Sequence, residues 1–145
     1  MTQEQKDLLL KDLCARLPYG VKVKLGDNPN IFDLGYRIRF AVMYGDSDKL
    51  EDILDITNIR PYLFPISSMT EEQKKEISKR YNYYNPYQSC VLITDHRQGY
   101  WDNDDNSCNL QDYLWLEDWF NKNHFDYRGL IPIGAAIDAT GLNIY

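Results

Sequence analysis

Hydrophobic residues recur at helical intervals at the start of the chain. Leu9 and Leu13 lie on one face of a helix predicted over residues 2–16. Thr2 and Gln5 have the spacing of a capping box, in which two side chains and two backbone amides at a helix start satisfy one another. The sequence therefore predicts an amphipathic first helix.

The pattern changes to alternation after residue 20. Val21, Val23 and Leu25 alternate with lysines, and residues 36–42 alternate between hydrophobic and basic side chains. Both patterns are typical of half-buried strands, and residues 53–56 allow a further short strand. Several short antiparallel strands with polar turns between them indicate a small barrel-like sheet of the SH3-like kind.

Two prolines frame an apolar segment that precedes another helix start. Pro61 and Pro65 each fix the backbone, because the proline ring locks φ, and the segment is predicted to be a rigid connector between two structural units. Thr70 and Gln73 repeat the capping-box spacing and predict a helix over residues 71–81.

The last part of the chain combines a strand, a loop and a helix. Residues 89–94 have the composition of a buried strand, and residues 95–109 are mostly polar. Residues 110–121 place aromatic and aliphatic side chains on one face, which predicts a strongly amphipathic helix.

Together these elements predict one α+β domain over residues 1–145. We expect a leading helix, a small antiparallel barrel-like sheet, a proline-framed connector, and a C-terminal layer of helix and strand packed on the sheet. A chain of this length buries about two-thirds of the surface that its unfolded form exposes, enough for a packed core. The expected sub-units are residues 1–60, the helix with the barrel, and residues 61–145.

Charge and cysteine content narrow the classes of function. Acidic residues outnumber basic ones by 22 to 16, and the net charge of −6 disfavours nonspecific binding to nucleic acid or acidic membranes. The three cysteines show no CxxC spacing, which favours reduced thiols. No segment has the composition of a signal peptide or a membrane span, so we expect a cytoplasmic protein.

An acidic and aromatic region precedes Lys122 and is a candidate docking face for a protein with a basic surface. Aromatic side chains supply contact area at interfaces, and carboxylates steer a charged partner. Its residues are Trp101, Asp102, Asp104, Asp105, Trp115, Asp118 and Trp119. The alternative is that the aromatic side chains face the core and the acids face water, as an amphipathic helix requires.

A second candidate surface is basic. Lys22, Lys24, Arg37 and Arg39 project from the same side of two predicted strands, and small barrels offer such a face to single-stranded nucleic acid. This surface defines an alternative function, a nucleic-acid-binding module. The overall acidity argues against it.

His124, Asp126 and Arg128 define a third possibility, a small-ligand binder or an enzyme. These residues share a face if the segment that contains them is extended, and an imidazole between a carboxylate and a guanidinium can perform acid–base chemistry. No nucleophile, oxyanion donor, phosphate loop or metal-ligand spacing accompanies them. The sequence therefore predicts no catalytic residue, no metal and no cofactor.

Three segments carry a family resemblance: IRPYLFPISSMTEEQKKEI (residues 59–77), RLPYGVKVKL (residues 16–25) and LEDWFNKNHFDYRGLI (residues 116–131). The chain resembles a family of small uncharacterised proteins that phages and prophages of gut anaerobic bacteria encode. The resemblance covers about a third of the chain and implies an accessory protein in the cytoplasm of a bacterial host cell. It brings no activity, cofactor or catalytic residue to this chain.

These observations together favour a non-enzymatic phage-type accessory protein that acts by protein–protein interaction. The expected partner is a host or phage protein, and inhibition of a host defence or housekeeping factor is the most specific form of the hypothesis. Neither the identity of the partner nor the oligomeric state follows from the sequence.

Overall fold

A computed structural model describes residues 1–45, 55–80 and 110–145. Within these ranges the chain forms four α-helices and four short strands, so the predicted mixed α+β class is confirmed. In chain order they are α1 (Gln3–Arg16), β1 (Lys22–Leu25), β2 (Phe32–Asp33), α2 (Leu34–Tyr44), β3 (Ile59–Leu63), α3 (Glu71–Arg80), α4 (Leu110–Lys122) and β4 (Ile137–Asp138).

Both predicted capping boxes are present. Thr2 Oγ1 accepts from the Gln5 amide at 3.2 Å, and Gln5 Oε1 accepts from the Thr2 amide at 2.8 Å. Thr70 and Gln73 make the same pair of bonds at 3.3 and 2.8 Å. Because these bonds satisfy amides that a helix start otherwise leaves open, they fix where α1 and α3 begin. None of the helices described is both long and apolar enough to cross a membrane.

The strands form an open sheet in the order β2-β1-β3-β4. β1 is antiparallel to both β2 and β3, whereas β4 runs parallel to β3. The predicted SH3-like barrel is therefore wrong, because the sheet does not close and one of its pairings is parallel.

The segment predicted as a strand over residues 36–42 is helix α2. Asp33 caps this helix by accepting from the Tyr36 amide, and Gly45 ends it in the left-handed conformation at φ 60°. Leu34 and Ala41 are buried on one side of the helix. The spacing of its buried residues and its two caps outweigh the alternation that indicated a strand.

The segment predicted as a connector forms β3, an interior strand of the sheet. Pro61 is fully buried and lies opposite Val23 of β1. The Gly26 amide donates to the Asn58 carbonyl at 2.7 Å. In an antiparallel pair only every second residue is hydrogen-bonded to the neighbouring strand, so Pro61, three residues after Asn58, falls at a position that is not. Proline is tolerated here because its position requires no donor toward β1. The sheet therefore spans both predicted sub-units.

Two apolar clusters fill the interior. One packs α1 and residues 130–136 against β1 and β3, with Leu9, Val23 and Leu63 fully buried. The other packs α3 and α4 around Phe120 and Phe125. Both clusters include residues from 116–136, so the candidate residues Trp119, His124 and Asp126 lie next to side chains of the core.

Candidate functional site

The acidic docking face falls largely outside the described residues. Trp101, Asp102, Asp104 and Asp105 are not within them. Trp115 is half-buried and Asp118 is exposed on α4. Asp118 accepts a hydrogen bond from the Tyr19 hydroxyl, and this bond raises the pKa of Tyr19.

Trp119 belongs to the core. It is 5% exposed and stacks on Phe125 with ring centroids 5.7 Å apart and planes 6° apart. Phe120 meets the same ring edge-on at 6.2 Å. Trp119 therefore follows the alternative drawn from the sequence, in which an aromatic side chain of the amphipathic helix faces inward.

The four basic residues do not form one strand face. Lys22 and Lys24 lie on β1, whereas Arg37 and Arg39 lie on helix α2. Lys22 also has a carboxylate neighbour, since its Nζ lies 3.5 Å from Asp33 Oδ2. The geometry expected for a nucleic-acid-binding strand face is therefore wrong, because its second strand is a helix.

His124, Asp126 and Arg128 have separate partners. Asp126 accepts from the amides of Leu130 and Ile131, both at 2.8 Å, and so caps the short turn that follows it. Burial is the main reason that the pKa of Asp126 is raised. The structure therefore does not assemble the three residues into one acid–base unit.

Arg128 belongs to a buried charge network that connects α1 with α4. Its two terminal nitrogens donate to Asp12 Oδ1 and Glu117 Oε1, both at 2.8 Å. Arg16 binds both oxygens of the same aspartate: Nε donates to Oδ2 at 2.8 Å, and Nη2 donates at 2.9 Å to Oδ1, which Arg128 also contacts. Asp12 and Arg16 are 0% exposed.

Arg16 also binds the backbone of the C-terminal region. Nη1 donates to the Phe120 carbonyl at 3.3 Å, and Nη2 donates to the Phe125 carbonyl at 2.7 Å. Every nitrogen of the guanidinium therefore has a partner. Sequence reasoning missed this network, although Asp12 and Arg16 have the i, i+4 spacing of a helical ion pair.

His124 packs face to face against Tyr145. Their rings stack at 3.7 Å with planes 13° apart, and His124 has the left-handed backbone angle φ 57°. The Tyr145 hydroxyl accepts from the Lys22 amide at 3.0 Å and donates to the Tyr62 carbonyl at 2.8 Å. It thus bridges β1 and β3 where a direct ladder bond would otherwise lie.

Burial determines the chemistry of His124. Desolvation is the main cause that lowers its pKa to about 4, and the positive charges of Arg16 and Lys22 act in the same direction. The imidazole is therefore neutral near pH 7. Its Nδ1 is buried and has no hydrogen-bond partner among the described residues. The ring also lines a cleft of about 610 Å³ together with Tyr19, Lys22 and Tyr145.

The most exposed apolar side chains of the described residues lie on α2. Tyr36, Val42, Met43 and Tyr44 are 62%, 67%, 76% and 68% exposed. Phe40 connects the two tyrosines, with ring centroids 6.1 Å from Tyr36 and 4.5 Å from Tyr44. Tyr36, Phe40, Met43 and Tyr44 are spaced so that they share one face of the helix, and we call these four residues the α2 surface. The sequence does not reveal it, because a strand over residues 36–42 places Tyr36, Phe40 and Val42 inward.

A cleft of about 270 Å³ adjoins the α2 surface and contains Arg37. The guanidinium carbon lies 5.0 Å from the centroid of the Phe32 ring. Arg37 Nε is buried without a hydrogen-bond partner in the part of the chain that the structure describes. Asp27, Asn28 and Asn58 also line the cleft.

Comparison of the chain with protein-family models, with curated proteins and with solved structures finds no match.

Proposed function

We propose that this protein acts by binding another protein through the α2 surface, and that it does not catalyse a reaction. Single exposed apolar residues are ordinary, but contiguous ones mark interaction sites. The four most exposed large apolar side chains among the described residues lie within one helix of eleven residues, and this observation carries the proposal.

The composition of α2 suits a protein partner with an apolar centre and acidic flanks. Aromatic side chains, methionine and arginine are enriched at protein interfaces. Helix α2 contains Arg37 and Arg39 and no acidic residue, although the whole chain has a net charge of −6. The helix is therefore locally positive, and its charge favours encounter with an acidic surface.

The biological setting of the proposal comes from the family resemblance. A phage accessory protein would act in the cytoplasm of the infected bacterium, on a host or phage protein, and inhibition of a defence or housekeeping factor would require only binding. The basic partner expected from the acidic residues near α4 stays a prediction for that region.

The test compares two double variants that each remove two exposed apolar side chains from helices. Met43→Ser/Tyr44→Ser alters the α2 surface, and Leu10→Ser/Leu114→Ser is the matched control on α1 and α4, where the two leucines are 52% and 54% exposed. Exposed substitutions usually change stability by less than about 0.5 kcal/mol each, so both variants should fold.

Each tagged protein is used for affinity purification from bacterial lysate, with and without nuclease, followed by mass spectrometry. We expect a stoichiometric, nuclease-resistant protein to bind the unmodified chain and the control and to be lost with the α2 variant. Retention of the same partner by the α2 variant would overturn the proposal, and so would recovery of nucleic acid alone.

A further inference from the structure

We propose that the cleft at Arg37 binds a carboxylate side chain of the protein partner, next to the apolar contacts of the α2 surface. This inference rests on the proposed function and specifies the chemistry of the partner. Its basis is a half-buried arginine that lies over an aromatic ring and makes no ion pair with any residue that the structure describes.

The orientation of Arg37 is set by Phe32. A guanidinium that lies over an aromatic face, with 5.0 Å from its carbon to the ring centroid, is held in place without the use of any of its donors. Phe32 is itself fixed, because it is paired with Val23 across the sheet and packs against the core. The donors of Arg37 are therefore positioned in advance.

The donors of Arg37 have no partner among the residues that the structure describes. Among the described residues the guanidinium makes no hydrogen bond and no ion pair, and its Nε is buried. A buried N–H that is left unsatisfied destabilises the fold. A planar guanidinium matches a carboxylate through two parallel hydrogen bonds, so a carboxylate is the group that best fits the vacant donors.

The size and lining of the cleft limit what can bind there. Its volume of about 270 Å³ lies at or below the range of about 300–1,000 Å³ that is typical of small-molecule sites, which suits the end of a side chain. Asn28 also lines the cleft, and its Oδ1 accepts from the Asn30 amide at 3.0 Å. Asp27 is exposed and opposes an anion, and its removal should strengthen binding.

The cleft and the α2 surface are close enough for one partner segment to contact both. Arg37 and Phe40 are three residues apart on the helix, and residues at this spacing are neighbours on a helix surface. A partner that places an apolar side chain on the aromatic residues can therefore place a neighbouring acidic residue in the cleft.

The experiment selects a displayed library of random short peptides on the unmodified protein. Peptides that bind should combine an acidic residue with apolar or aromatic neighbours. The dissociation constant of a selected peptide should rise by about ten- to a hundredfold on Arg37→Gln, the range expected for loss of a hydrogen bond to a charged group. Replacement of the peptide's acid by its amide should have a similar effect on the unmodified protein.

Two variants serve as controls. Arg39→Gln removes the same charge from an exposed position of the same helix and should change affinity by less than about threefold, because a solvent-exposed charge contributes little. Asp27→Asn should tighten binding, because it removes a like charge from the cleft.

The outcomes separate this inference from the proposed function. Selected peptides that lack acids, or that bind Arg37→Gln as tightly as the unmodified protein, would overturn the carboxylate site, while dependence on Met43 and Tyr44 would still support the α2 surface. Peptides that bind independently of Met43 and Tyr44 would overturn the proposed function itself.

Discussion

Arg16 and Arg37 are both placed over aromatic rings and differ in everything else around them. The Arg16 guanidinium carbon lies 5.6 Å from the Tyr127 ring centroid, and that of Arg37 lies 5.0 Å from the Phe32 centroid. Arg16 is 0% exposed and uses all its nitrogens in bonds to Asp12 and to two backbone carbonyls. Arg37 lines an open cleft and makes no such bond to a described residue.

The difference separates a structural arginine from a candidate binding arginine. Removal of a buried cation leaves its anion without compensation, so Arg16 is required for the fold. Arg37 forms no ion pair with a described residue, so its removal leaves no described anion uncompensated, and its donors are available for a partner molecule. A cation over an aromatic ring is common to both sites, and the hydrogen bonds distinguish them.

The largest expected effect tests this contrast directly. Arg16→Met should lower the free energy of unfolding by about 3–5 kcal/mol, because Asp12 stays buried and loses one of its two cations. Arg37→Met should change the same quantity by less than about 0.5 kcal/mol. Urea unfolding of the two variants measures both values, and equal losses would contradict the assignment of different roles.

A smaller change in stability is expected from His124, one of three described side chains with a buried nitrogen that has no hydrogen-bond partner among the described residues. Its pKa is lowered from 6.5 to about 4 in the folded protein, so the unfolded chain binds a proton first as the pH falls. The free energy of unfolding should therefore decrease as the pH falls from 6.5 toward 4, by about 2 kcal/mol between pH 7 and pH 5. The measurement is urea unfolding at both pH values.

The control for this prediction is His124→Asn. Asparagine tolerates the left-handed backbone better than most residues, and it does not titrate. The variant should therefore lose less stability between pH 7 and pH 5 than the unmodified protein. An equal loss in both proteins would assign the pH dependence to other groups.

The smallest expected change in stability concerns Tyr145, whose hydroxyl both accepts and donates a hydrogen bond. Tyr145→Phe removes the bridge between the Lys22 amide and the Tyr62 carbonyl and should lower the free energy of unfolding by about 1 kcal/mol. Tyr44→Phe, at an exposed tyrosine of the α2 surface, is the matched control and should have almost no effect. A similar small change in both would show that the bridge does not stabilise the fold.

Local signals predicted part of this fold. The capping boxes at Thr2 and Thr70 place the starts of α1 and α3, and the alternation at residues 21–25 corresponds to β1. Helix α4 ends at Lys122, one residue beyond the prediction. These elements depend on interactions between residues a few positions apart, and such interactions can be predicted from the spacing of residues in the sequence.

Elements that depend on distant residues were not predicted. Residues 36–42 alternate in hydrophobicity, but the caps at Asp33 and Gly45 and the burial of Leu34 and Ala41 favour a helix, and burial against the core is not visible in the sequence. The strand at Pro61 is acceptable because of its register with β1, which the sequence does not specify.

The candidate site was hidden for the same reason. Arg37 becomes a candidate only when the structure shows that its guanidinium makes no ion pair with a described residue, and Arg16 is excluded only when its partners are known. Each arginine follows an aspartate by four residues, Asp12 before Arg16 and Asp33 before Arg37, so this spacing does not show that only Arg16 forms the ion pair.

The buried charge network also has a consequence for synthesis on the ribosome. Asp12 and Arg16 leave the ribosome long before their distant partners. Phe120 and Phe125 follow Arg16 by 104 and 109 residues, and Arg128 follows Asp12 by 116 residues. At about 5–20 residues per second this delay lasts about 5–20 s. Because Asp12 and Arg16 are one helical turn apart, they can neutralise each other during the wait, and the nascent helix carries its future interior charges as a pair.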